Sequence, residues 1–173
     1  MKIVRVTILL SLCIFLSGCG TTTPEKVEIP NAGQESTETT PEHQTKVFDI
    51  GETIKSNDIY FTVNGVREVP GGQFMSPDDG NIWYAVDVTI ENKGKESFNS
   101  SSLLMFSLID SEAYSYNVTF GPDLNGSVDG EIAPGRKLRG EVAFEIPKGS
   151  TGLELEIKPF IWGNGLIIVK LDR

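Results

Sequence analysis

Histidine and cysteine are nearly missing: the 173 residues hold one His and two Cys. Ser–His–Asp or Cys–His catalysis, and imidazole or thiolate metal centres, need those residue types brought together. Here they stand apart, with Cys13 and Cys19 near the N-terminus and His43 in a polar stretch, so that everything from Val47 onward has neither. Basic residues are also short, at 15 Lys+Arg against 24 Asp+Glu for a net charge of -9, the wrong sign for a partner whose phosphates must be neutralised. No role with nucleic acid is expected. Apolar runs stay below the roughly 18–20 residues that cross a bilayer as a helix, and no window of a dozen residues shows the period of an amphipathic helix. What remains, 39% hydrophobic and 23% charged, is enough for one ordinary globular domain.

The N-terminus reads as an address. Lys2 and Arg5 precede an apolar run, Val6 to Leu16, of the length of a signal-peptide core. Leu16-Ser17-Gly18-Cys19 then resembles the lipobox of bacterial lipoproteins, in which cleavage before the Cys follows attachment of a diacylglycerol to its thiol. Residues 1–18 are therefore expected to be a lipoprotein signal peptide and Cys19 the lipidated residue. Two or three acyl chains, at about 0.8 kcal/mol per buried CH₂, hold a protein at a membrane where one chain would not. Losing the leader removes Lys2 and Arg5 and no acid, which leaves the mature chain more acidic still.

Residues 19–46 form the expected tether: Gly20 to Lys46 is rich in Thr, Glu and Pro and has only Val27, Ile29 and Ala32 as apolar residues, too few to offset the entropy of ordering. As a flexible coil it would span about 26–31 Å. His43, alone in this stretch, is expected to be a bystander.

From residue 47 to 173 the period changes to two. Ile82, Tyr84, Val86, Val88 and Ile90 alternate with Trp83, Ala85, Asp87, Thr89 and Glu91; Ile59 to Val63, Leu138 to Ile146 and Leu153 to Ile157 alternate in the same way. Leu103 to Ile109, apolar on both faces, suits a central strand or a strand under a loop, and Leu166 to Leu171 a last one. Turn residues stand between, at Asn64-Gly65, Pro70-Gly71-Gly72, Pro77 to Gly80, Asn92 to Gly94, Asn125-Gly126, Pro134-Gly135, Pro147 to Gly149 and Gly163 to Gly165. Pro134-Gly135 suits the centre of a type II turn, and Gly140 within its strand pattern suggests a bulge or a close backbone approach. The expected fold is all-β, an immunoglobulin-like sandwich of seven to eight antiparallel strands.

Gly51 to Ile54, Ile59 to Val66, Tyr84 to Lys95, Leu108 to Asp110 and Ile132 to Pro147, in this order behind a lipobox and a stalk, resemble an immunoglobulin-like domain of unknown function found in lipoproteins of Gram-positive bacteria. That domain is similar in fold to a secreted immunoprotective antigen of mycobacteria. The resemblance implies a sandwich in an extracellular setting and carries no catalytic residues to transfer.

No catalytic site is expected. Ser–Lys chemistry lacks its spacing, and the carboxylate pairs Asp78-Asp79, Glu154/Glu156 and Asp123/Asp129 suit turns and solvated strand faces. No cofactor is implied. Asp123 to Asp129 and Pro77 to Asn81 offer oxygens for a hard cation, but the first lacks the Gly and Glu of an EF-hand loop. Aromatic residues are the remaining feature: Trp83 falls opposite Ile82 and Tyr84, while Phe74, Met75, Phe160 and Trp162 lie in or beside loops. Trp83, Trp162 and Phe74 are the candidate partner-binding residues, weighed against a plain role in covering the ends or second face of the sandwich. The function expected is a membrane-anchored lipoprotein on the extracellular face, binding an envelope protein or a peptide. The alternative is a calcium- or small-ligand-responsive envelope protein.

Overall fold

The computed structural model describes residues 46–172, apart from Gln73 and 160–164. The expected leader and tether, with Cys19 and His43, and also Phe160 and Trp162 lie outside the described residues.

Eleven strands and one helical turn follow in order: β1 (Val47–Asp49), β2 (Thr53–Ser56), β3 (Ile59–Val69), β4 (Asn81–Asn92), β5 (Phe98–Ser100), α1 (Ser102–Met105), β6 (Phe106–Ile109), β7 (Ser115–Asn117), β8 (Gly130–Ile132), β9 (Lys137–Pro147), β10 (Glu154–Ile157) and β11 (Ile167–Lys170). A four-stranded sheet, β2-β3-β4-β9, faces a five-stranded one, β1-β11-β10-β6-β7, and β5 pairs with β8 in a small ribbon. The chain is thus a β-sandwich. Its core is what period-two alternation dictates: Phe61, Val63, Val86, Val88, Ile90, Val142 and Phe144 from one sheet meet Leu108, Leu155, Ile157 and Val169 from the other.

Four details differ from expectation or sharpen it. The strand count exceeds seven to eight because several elements are three or four residues long, and β1 pairs with β11 in parallel rather than antiparallel. Asn64-Gly65 is no turn: β3 runs on through it with a register shift between Val63 and Gly65, a bulge that uses the same residue types as turns do. Past the bulge the phase is inverted, which puts Arg67 and Val69 on the outer face beside Ala85 and Trp83. Leu103 to Ile109 is only half a strand. Its first part is α1, whose Leu103 and Leu104 are exposed, while β6 sits inside its sheet as expected.

Two glycines behave as the sequence suggests. Gly135 takes φ 72° and Arg136 N–H donates to the Ala133 carbonyl at 3.0 Å, the closing bond of the turn. Gly140 is a close approach: a Cβ there would lie 2.6 Å from the Cα of Ser127. The segment after β7 explains why, since it crosses the free edge of β9 with bridges at Val118↔Phe144 and Gly126↔Gly140 and returns Val128 to the core.

Candidate interaction surface

The outer face of the four-stranded sheet brings several polar and charged side chains together. Down β4 the outward positions are Trp83, Ala85, Asp87 and Thr89, with Val69 and Arg67 beside them on β3 and Glu145, Ala143, Glu141 and Arg139 on β9. Trp83, weighed between a binding role and cover for the second face, takes the second: it is 3% exposed, packed in a second small core with Val69, Ala85 and Ala143, and Leu124 comes down on this group from the segment after β7. Small Ala85 and Ala143 leave room for the indole on the sheet, and burial of so large an aromatic contributes more than display would. Its Nε1–H donates to Glu145 Oε2 at 3.2 Å, while Glu145 Oε1 accepts the Asp78 N–H and the Asn81 amide. These bonds, from Asn81 first, hold the Glu145 carboxyl below its ordinary range.

Charged groups on this face are paired. Arg67 binds Glu141 through Nε and Nη2 and the Asp123 carbonyl through Nη2. Glu141 also accepts the Asn125 N–H at 2.7 Å, and its pKa falls to about 2, chiefly through the Arg67 bonds. Arg139 holds Asp87, which Asn64 also reaches, and the Asp87 carboxyl is lowered in turn. This is the chemistry of clasps that fix a loop to a sheet.

Of the acidic loop from Asp123 to Asp129, the last carboxylate is committed within the fold. Asp129 accepts the Ser102 N–H at 2.6 Å and the Ser102 hydroxyl at 3.0 Å, and among the described residues no three His, Cys, Asp or Glu side chains are grouped to hold a metal ion. Open clefts lie at turns among the described residues, and two of them are lined by groups already bonded within the fold. One of about 270 Å³ is built around Asp110, which accepts the Glu112 and Tyr114 N–H groups and the Tyr116 hydroxyl. The other, of about 630 Å³, lies beside Asn92 and Lys93.

Exposed apolar groups gather elsewhere. Phe74 is 92% exposed and Met75 55%, both on the β3–β4 loop; Phe120, on the segment after β7, is 68% exposed. A Cβ on Gly121 would lie 2.9 Å from Met75 Cε and 3.4 Å from Trp83 Cζ2, so the two loops touch directly above the buried indole. Of the residues expected to form a binding patch, Phe74 is therefore at the surface and Trp83 beneath it. Phe120 was not among them; its signal is a large aromatic set directly before Gly121-Pro122, where a turn leaves little to bury it.

The fold has counterparts. Over 117 residues the chain is 30% identical to the uncharacterized lipoprotein YjhA of Bacillus subtilis, a match covering 60% of this chain and 54% of that protein, so the chain spans about half the length of this relative. The crystal structure of YjhA superposes with a TM-score of 0.55 at 25% identity, over 72% of this chain and 99% of the crystallised one. That crystallised chain is almost wholly this sandwich, which stands there as a folded unit. An uncharacterized β-sandwich protein of Clostridium difficile (TM-score 0.52, 17% identity, 77% and 99% covered) and the secreted MPT63 of Mycobacterium tuberculosis (0.51, 13%, 74% and 98%) share the fold. Residues 48–167 match the model of a domain of unknown function, DUF4352, and with more than half of its length inside that match the chain belongs to the DUF4352 family.

Proposed function

We propose that this chain is a lipid-anchored protein of the cell envelope whose sandwich, on the extracellular face, serves as a binding module and not as a catalyst. The carrying observation is Leu16-Ser17-Gly18-Cys19 set between an apolar run and a polar stalk, in a chain 30% identical to a lipoprotein. Support for binding comes from the exposed Phe74, Met75 and Phe120 on adjoining loops, because aromatic and Met side chains are enriched at the cores of interfaces. The carboxylates of the outer face, by contrast, are held by Arg67, Arg139, Asn81 and Asn125 in roles that tie the fold together.

The test is made on the full chain in a Gram-positive host fed an alkyne-bearing fatty acid. Wild type is expected to take up label and sediment with membranes, and protease added to intact cells should remove the domain. Cys19→Ala should lose both label and sedimentation. An unlabelled wild-type chain in the soluble fraction would overturn the proposal.

A further inference from the structure

We propose that the β3–β4 loop and the segment after β7 together form a docking surface for a cationic, apolar peptide segment of another protein; this deepens the binding-module reading and rests on it. Phe74, Met75 and Phe120 supply the apolar part. The surface is preformed. Gly72 N–H donates to the Met75 carbonyl at 2.7 Å, the Asp78 N–H is held by Glu145, and the Thr119 N–H donates to the Ala143 carbonyl at 2.8 Å. With Met75 and Trp83 both against Gly121, the two loops meet over a buried ring. A fixed platform costs less ordering entropy on binding.

Charge decides the occupant. Asp78, Asp79 and Asp123 are exposed on these loops, and neither 70–80 nor 118–126 contains a Lys or Arg. Arg67 is taken up by Glu141, and Lys148 adjoins through its N–H, which donates to the Gly80 carbonyl. An anionic lipid surface would be repelled. A second copy docking by twofold symmetry would bring the same three carboxylates against themselves. A partner segment carrying Lys or Arg beside apolar residues satisfies both the patch and its rim.

The test uses residues 41–173, since the crystallised YjhA chain is almost entirely this sandwich. Amide and indole resonances are followed while a synthetic twelve-residue peptide of Lys, Leu and Phe is added, with a peptide having Glu for every Lys and phosphatidylcholine vesicles as the other probes. Saturable shifts at Phe74, Met75, Phe120 and the Trp83 indole are expected with the cationic peptide alone. F74S/F120S, and separately D78N/D79N/D123N, should each weaken binding about tenfold or more while melting as wild type does. The proposal is overturned if nothing saturates, if the acidic peptide binds equally, or if F74S/F120S binds as before. It is overturned equally if vesicles shift the same residues, or if sedimentation shows self-association that F74S/F120S abolishes. None of these outcomes touches the anchoring through Cys19, which stands or falls on labelling and fractionation.

Discussion

Arg67 and Glu141 reach each other across an intervening strand. They stand on β3 and β9, strands about 9.6 Å apart with β4 between them, and two residues out of level, Arg67 beside Ala85 and Glu141 beside Asp87, yet the guanidinium Nε and Nη2 donate to the two carboxylate oxygens at 2.8 and 2.7 Å. Ala85, which pairs with Arg67 on β4, is small enough to let them pass. The bond straps three strands, and through Asn125 and the Asp123 carbonyl it also fastens the segment that covers Trp83.

Acid should release this strap. Glu141, ordinarily near 4.5, is held at about 2 in the fold, so its contribution is complete above the unfolded value and is lost as pH falls from about 4.5 towards 2. Glu141→Gln is expected to lose about 1–3 kcal/mol at pH 7. In urea denaturation the gap between variant and wild type should narrow steadily below pH 4.5; a gap independent of pH would show that the charge is not what holds the strap.

Asn92 is the most heavily used polar side chain of the core. Fully buried, it donates to the Glu96 and Ile132 carbonyls at 2.7 and 2.8 Å and accepts the Gly94 N–H at 2.9 Å. Asn92→Ala strands all three groups and is expected to cost about 2–4 kcal/mol. Asn92→Asp, which turns an acceptor towards two carbonyls, should be worse, and thermal melts of the two variants decide the order.

Gly140 and Gly149 separate two kinds of glycine. At Gly140 a methyl group would strike the backbone of Ser127, whereas at Gly149 it meets nothing within 4 Å but inherits φ 92°. Gly149→Ala should cost about 1 kcal/mol. Gly140→Ala should cost about 3 kcal/mol or more, with the loss of amide protection in hydrogen exchange concentrated at 126–128.

Ala113 points the other way. It holds φ 64° in the turn organised by Asp110, a left-handed conformation that costs a side-chain-bearing residue about 1–2 kcal/mol. Ala113→Gly should therefore raise stability by about 0.5–1 kcal/mol, visible as a higher melting temperature.

The alternation from Ile82 to Ile90 fixes one strand, its buried face and its neighbours, because a side chain's direction in a strand is set by position alone. The same rule places Trp83 on the opposite face. It is silent on what lies over that face, since Leu124 and Met75 arrive from loops whose paths depend on tertiary pairing. Asn92 looks like any turn asparagine in sequence, and only the return of Ile132 beside it makes the site a buried one. Leu103 and Leu104 mislead for a related reason: apolar residues in a row suggest a doubly buried strand, and a helical turn places both in solvent. The exposed Phe74 is legible from its loop, whereas the meeting of that loop with the segment after β7 depends on Gly121 lying against Met75.

The parallel pair of β1 and β11 sets how the domain would carry a pull. Val47, Phe48 and Asp49 lie beside Ile168, Val169 and Lys170, both strands running the same way. A load entering at Val47 and leaving at Lys170 acts at opposite ends of the pair. It strains the hydrogen bonds between the strands together, in shear, instead of peeling them one after another. With the N-terminal anchoring proposed above, the first and last strands of the domain are arranged as a mechanical clamp.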